Sequence, residues 1–122
     1  MSNIINLPTF SDDRGNLTVI ENSIGFDIKR VYYIYNTDSQ DRGGHRHKKT
    51  IQVLICLTGS CEVLCENKNT SDTYILDSPS KALIVEPQDW HVMKNFSKSS
   101  ILLVLASENY DKDDYIDERY NK

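Results

Sequence analysis

The stretch Arg42-Gly43-Gly44-His45-Arg46-His47-Lys48, running on through Lys49-Thr50-Ile51-Gln52-Val53-Leu54-Ile55-Cys56, decides the fold of this chain and locates its chemistry. Two of the three histidines stand one residue apart, Arg42, Arg46, Lys48 and Lys49 surround them, and an apolar, β-branched run follows directly. In an extended strand residues i and i+2 point to the same face. His45 and His47 are therefore expected to project side by side into one space, with Arg46 alternating outward. Two imidazoles converging beside a buried sheet make a metal site, an acid/base site or a polar patch.

Working outward, Ile51 to Leu57 is nearly continuous in apolar residues and reads as a strand buried on both faces. Thr58-Gly59-Ser60 reads as a turn, and Cys61 to Glu66 as the returning strand of a hairpin. Upstream, Ile28 to Tyr35 is strongly β-prone, with Arg30, Tyr32 and Ile34 on one face and Val31, Tyr33 and Tyr35 on the other. Leu17 to Glu21, Thr73 to Leu76, Ala82 to Val85 and Ile101 to Ala106 are further strands, and Trp90-His91-Val92-Met93 follows the Glu86-Pro87 turn. Residues 1–10, broken by Pro8, read as an edge or exchanged strand, and residues 11–16 as turn chemistry. The tail from Ser107 is acidic, carries Tyr110, Tyr115 and Tyr120, and is expected to form a short helix or a flap. No segment of the body shows a long 3.6-residue period. Many short strands with polar turns between them predict an all-β, antiparallel sandwich or barrel.

At 122 residues the expectation is a single domain over 1–122. A chain of this size buries about two-thirds of its unfolded surface without needing a disulfide or a metal. A net charge of −4 argues against a general nucleic-acid or membrane-surface binder. Residues 1–50 carry seven Lys/Arg against six Asp/Glu, and the remainder seven against twelve, so a small anionic ligand would be met by the first half. Cys56, Cys61 and Cys65 are odd in number and form no CxxC pair. Together with the absence of a signal-peptide pattern and of an apolar run near 18 residues, they predict a cytoplasmic protein with free thiols.

His45-x-His47, Gln52, Gly59, then Pro87, His91 and Asn95, resemble the two-motif pattern of the cupins, in which the side chains meet inside a small jelly-roll barrel. Where the cupin pattern has a glutamate, this chain has Gln52, and the usual second-motif glycine is Asp89. The resemblance is closer to the sugar 3,4-ketoisomerase branch, WxcM-like enzymes that act on dTDP-4-keto-6-deoxyglucose. It is carried by Asp13-Arg14-Gly15 with Leu17 and Glu21, by Ile28 to Tyr35, by Arg42-Gly43-x-His45-x-His47-Lys48 and by Gln52. Downstream it continues through Trp90-His91, Phe96-Ser97, Ser107-Glu108-x-Tyr110 and Asp114-Tyr115. Those stretches span nearly the whole chain in order. The chain departs from the branch at Arg46, commonly Ala, at Glu86, commonly Pro, and at Val92, often Glu.

The resemblance implies a jelly roll that moves the ketone of a nucleotide-linked 4-keto-6-deoxy sugar from C4 to C3, feeding 3-amino-3,6-dideoxy sugars of surface polysaccharide. It implies His47 as the base, His45 as its assistant and Tyr33 as a hydrogen-bond donor to the reacting oxygens. Arg14 matches a position lining the sugar pocket. Arg42 and Lys48 are candidates for the pyrophosphate, and Gln52 and His91 are further polar groups of the cavity. The family is dimeric, often with exchanged N-terminal strands, and Ile4 to Phe10 could serve that exchange. The chemistry fits imidazole, whose pKa lies near working pH. No dinucleotide or phosphate-loop fingerprint is present, so no cofactor is expected.

Two other readings remain open. His45, His47, Gln52 and His91 could hold a metal in a metal-dependent cupin, although such a set lacks an anionic ligand and lies among four cations. A non-catalytic sugar-nucleotide-binding module is the other.

Overall fold

A computed structural model describes residues 2–38 and 40–120. The β-branched and aromatic runs extend into strands: β1 (Asn3–Asn6), β2 (Thr9–Asp12), β3 (Gly15–Thr18), β4 (Arg30–Tyr35), β5 (Arg42–His47) and β6 (Gln52–Thr58) in the first half. There follow β7 (Cys61–Glu66), β8 (Ser71–Leu76), β9 (Lys81–Val85), β10 (Trp90–Lys94), β11 (Ile101–Ala106) and β12 (Tyr115–Ile116). Among the described residues the helical pieces are two 3-10 turns, Asn22–Ile24 and Lys112–Asp114.

Two five-stranded sheets are formed, ordered β1-β9-β6-β11-β4 and β12-β5-β10-β7-β8, and every strand pairing is antiparallel. Strands β2 and β3 make a separate two-stranded sheet. Apart from the β7–β8 hairpin, consecutive strands from β4 to β12 alternate between the two large sheets, as in a jelly roll, which agrees with the expected all-β architecture. The expected hairpin of β6 with Cys61–Glu66 is corrected: β6 pairs with β9 and β11, whereas β7 pairs with β8 and β10. The connection is a corner between sheets. The amide of Ser60 donates to Ser97 Oγ (2.9 Å) and its carbonyl accepts from the Ser97 amide (2.8 Å), so the turn is tied to the β10–β11 loop. Gly59 takes φ 72°, and a Cβ there would strike the Ser97 hydroxyl and Ser100.

The run of β6 is buried on both faces, as its composition predicts. Leu54 and Cys56 join Val63, Leu76, Leu83, Leu102 and Val104 in the core between the sheets. Val53 and Ile55 face a second cluster with Leu7, Ile24, Ala82 and Leu105, covered by Ile20 and Phe26. Each fully buried Leu or Val of this kind stabilises the fold by about 1.5–3 kcal/mol. The barrel is therefore filled with apolar side chains at the Cys56–Phe96 end, with Ser100 buried beside Gly59.

The tail makes a 3-10 turn capped by Asp111, whose side chain accepts from the Asp113 amide, and then adds β12 to the edge of β5. It runs along the polar end of the barrel as a strap. No helix among the described residues is long and apolar enough to cross a membrane.

Candidate active site

Strands β5 and β10 place the histidines. His45 lies directly opposite His91, and the register then slips between His91 and Val92, so that Val92 faces Gly43. Gly43 and Gly44 take φ 90° and 82° in this bulge. A Cβ on Gly43 would stand 3.1 Å from the His91 carbonyl oxygen, so a side chain there would push β5 off β10. Downstream of the bulge the two-residue alternation holds. His45 and His47 turn inward, and Arg46 turns outward to stack on the Tyr120 ring and donate to Gln88 Oε1 (2.8 Å).

Three imidazoles meet inside the barrel. Ring centroids are 5.1 Å apart for His45 and His47, 5.2 Å for His45 and His91, and 6.1 Å for His47 and His91. Tyr115 on the strap presses its ring against His45 (4.7 Å) and His47 (4.5 Å). His47 and His91 are buried, and His45 is half-buried. His91 Nδ1 lies 3.1 Å from the Asp89 carbonyl oxygen, and His47 Nδ1 3.0 Å from Asp114 Oδ2. The Nε2 atoms of both rings have no hydrogen-bond partner. Gln52 donates through Nε2 to the Tyr32 hydroxyl (3.1 Å), while its buried Oε1 is also unpartnered. Arg30 supplies the nearby positive charge. Its guanidinium lies over the Tyr32 ring (4.3 Å), with Nη1 3.4 Å from the Tyr115 hydroxyl.

These surroundings keep the rings neutral. Burial, reinforced by the adjacent His47, pushes His45 down to about 4. Burial likewise brings His91 down to about 3, against the contrary pull of the Asp89 carbonyl. For His47 burial again lowers the pKa, and the Asp114 carboxylate works against it. Burial pushes Asp114 up, but hydrogen bonds from Thr50, the Lys49 amide and His47 together hold it below its ordinary value. Burial raises the Tyr32 phenol. A neutral imidazole with an uncommitted ring nitrogen can accept a proton or ligate a metal. His45, His47 and His91 offer ligand atoms that all lie within 4.8 Å of one another, a neutral donor set suited to a borderline divalent cation.

Of the residues singled out in the sequence, the structure brings together His45, His47 and His91, while Gln52 bonds Tyr32 on the inward face of β4. It does not bring Tyr33 to them. Along β4 the inward face is that of Arg30, Tyr32 and Ile34, so Tyr33 points outward, 62% exposed, and stacks on Tyr35. Within the chain Tyr33, expected at the reacting oxygens, therefore lies on the outer face of β4, and alternation puts Tyr32 on the inward face. Arg14 lies exposed in the β2–β3 turn, donating to Asp12. Arg42 and Lys48 are exposed at the two ends of β5. Sequence reasoning gave Asp114, Tyr115, Thr50 and Arg30 no part in the site and left Tyr32 to the core or a dimer interface. Asp114-Tyr115 lay within the stretches that carried the family resemblance, but in an acidic tail nothing distinguishes one aspartate from its neighbours.

A filled antiparallel jelly roll with a cluster of neutral imidazoles at one end defines a cupin-type protein built for proton transfer or metal ligation. The chain belongs to the family described as FdtA: WxcM-like, C-terminal, which matches residues 1–122. It is 47% identical over 116 residues to the TDP-4-oxo-6-deoxy-alpha-D-glucose-3,4-oxoisomerase of Aneurinibacillus thermoaerophilus, covering 93% of this chain and 84% of that one. Among solved structures it resembles a doubly substituted QdtA 3,4-ketoisomerase of Thermoanaerobacterium thermosaccharolyticum in complex with TDP (TM-score 0.92, 45% identity, 96% of this chain and 87% of that one). It also resembles a His-to-Asn variant of QdtA in complex with TDP-4-keto-6-deoxyglucose (TM-score 0.92, 42% identity, 96% and 87%).

Proposed function

We propose that the chain is a nucleotide-sugar 3,4-ketoisomerase that converts TDP-4-keto-6-deoxyglucose to its 3-keto isomer, and that His47 and His45 move the protons. The observation that carries this reading is the meeting of His45, His47 and His91 as neutral rings, two of them with Nε2 unpartnered in the interior. The substrate is supported by similarity to a TDP-4-oxo-6-deoxy-alpha-D-glucose-3,4-oxoisomerase and to QdtA bound to TDP-4-keto-6-deoxyglucose, of which this chain covers 84% and 87%.

The C3–H beside the C4 ketone is acidic. A base removes that proton, O4 is protonated, and an enediol spans C3 and C4. Loss of the O3 proton and delivery of a proton to C4 leave the ketone at C3 and a hydroxyl at C4. His47 is the base, because its Nε2 faces the interior and its other nitrogen is already bonded. Arg30, with Tyr115 and Tyr32 around it, is the positive charge that faces the developing oxyanion. A second assignment, in which His45 touches the sugar and His47 backs it, is favoured by one observation: His45 is the more accessible ring.

The enzyme acts as a homodimer that exchanges N-terminal segments. Within the chain β1 pairs with β9, so the exchange proposed here uses the segment that follows it. The β2–β3 hairpin is the piece left over, with Phe10 and Leu17 exposed. In the dimer it carries Arg14 toward the partner's barrel, while Arg42 and Lys48 meet the diphosphate. Three buried free thiols suit a cytoplasmic setting, and the product suits 3-amino-3,6-dideoxy sugar synthesis.

The test is NMR of TDP-4-keto-6-deoxyglucose incubated in deuterated water with EDTA-treated protein. A 3-keto product carrying deuterium at C4 is expected. Turnover that needs an added divalent cation would assign the three histidines to a metal instead. Binding of the nucleotide sugar without conversion would leave a binding module.

A further inference from the structure

The strap contributes a carboxylate to the histidine cluster. Asp114 closes the Lys112–Asp114 turn, and its backbone oxygen accepts from the Lys48 amide (2.9 Å). Its side chain is buried behind His47. Oδ1 accepts from the Lys49 amide (2.8 Å), and Oδ2 accepts from the Thr50 hydroxyl and faces His47 Nδ1 at 3.0 Å. An ionised carboxylate only accepts hydrogen bonds, so the proton of a neutral His47 must lie on Nδ1. Its lone pair is then on Nε2, the atom that faces the interior.

We propose that Asp114 is the positioning residue of His47: it fixes the ring's orientation and the tautomer that presents Nε2 as an acceptor to the substrate. The proposal deepens the isomerase reading and rests on it. The strap is thereby a part of the active site rather than a surface appendage, since the segment that pairs Tyr115 with His47 also delivers the carboxylate.

The bonding pattern makes the consequence of Asp114→Asn specific. An asparagine has one acceptor oxygen. With that oxygen on the Lys49 amide, its NH2 group falls where Oδ2 was and donates to His47 Nδ1. The ring proton is then driven to Nε2, and the lone pair is lost from the interior.

The experiment reads the protonation of isotope-labelled histidine ring nitrogens by NMR, without substrate, in the wild type and in Asp114→Asn, beside kcat and KM. The wild type is expected to hold the His47 proton on Nδ1 and the variant to hold it on Nε2. kcat should fall at least about tenfold, as for other residues that orient a working histidine, while KM stays within about twofold. A wild-type His47 protonated on Nε2 overturns the proposal even if the variant does not fold. So does a variant that keeps the Nδ1–H tautomer and its turnover. Thr50→Val loosens the strap but leaves the carboxylate on Nδ1. It should keep the wild-type tautomer with a loss smaller than that of Asp114→Asn, and an equal loss with the tautomer kept would show that anchorage, not orientation, sets the rate. If the tautomer inverts in Asp114→Asn while neither that variant nor His47→Asn alters turnover, Asp114 still positions the ring, and it is the isomerase reading of His47 that fails.

Discussion

The two ends of the chain leave the barrel in opposite conditions. The N-terminal arm, β2 and β3, pairs only with itself, and its two large apolar side chains, Phe10 and Leu17, are 65% and 61% exposed. The C-terminal strap is fastened along its length. β12 pairs with β5, Trp90 Nε1 donates to the Asp117 carbonyl (3.2 Å), Arg119 lies over the Trp90 ring and pairs with buried Glu66, and Tyr120 donates to the Gln88 carbonyl (2.7 Å). The strap finishes the site in its own chain. The arm has apolar surface still to bury, and it carries Arg14, exposed and paired with Asp12. The strap is therefore an internal part of the barrel, and the arm is the segment proposed above to exchange with a second copy.

The largest expected effect breaks the arm's side of this contrast. Introducing charge with Phe10→Asp and Leu17→Asp should convert a dimer to a monomer in analytical ultracentrifugation and should lower turnover through the loss of Arg14 from the partner's site. An unchanged dimer would show that the arm covers something else.

Acid should act next. An unfolded histidine titrates near about 6.5, whereas folded His45 and His91 lie near about 4 and 3. Between those values the unfolded chain binds more protons, so stability is greatest above about 6.5 and falls as pH drops through the window. Asp114, held below its ordinary value, adds stability above about 3.9 that is lost in stronger acid. Urea midpoints at neutral and mildly acidic pH should differ in that direction, and a midpoint that rises in acid would mean the imidazoles are not buried as neutral rings.

The strap's clasp is a smaller effect. Arg119→Met strips buried Glu66 of its partner and should cost about 1–3 kcal/mol in thermal unfolding with the dimer intact. The smallest change is expected from Tyr33→Phe. With its side chain on the outer face of β4, turnover should stay within about twofold, where Tyr32→Phe, losing the bond from Gln52, should lower it more. A large loss from Tyr33→Phe would return that residue to the site by way of a partner subunit.

Much of the barrel was legible because β6 is apolar on both faces and because β5 alternates two histidines around an arginine. The meeting of His91 with them was legible through spacing and resemblance. The choice of face on β4 was not, since Arg30-Val31-Tyr32-Tyr33-Ile34-Tyr35 is amphipathic either way and only the core around Ile34 decides it. The corner at Gly59-Ser60 reads locally as a hairpin, and its true role depends on Ser97, 37 residues beyond Ser60. Asp114 escaped for the same reason: its value comes from Lys49, Thr50 and His47, all more than 60 positions distant.

The most direct test of the central claim is the wash-out of the substrate C3 proton in deuterated water, compared between the wild type and His47→Asn at saturating TDP-4-keto-6-deoxyglucose. The account predicts exchange by the wild type and a loss of about 10²–10⁴-fold in a variant that keeps its fold by circular dichroism. Exchange at the wild-type rate in His47→Asn would contradict the assignment of His47 as the base, and His45→Asn measured in parallel would then show whether the more accessible ring does that work.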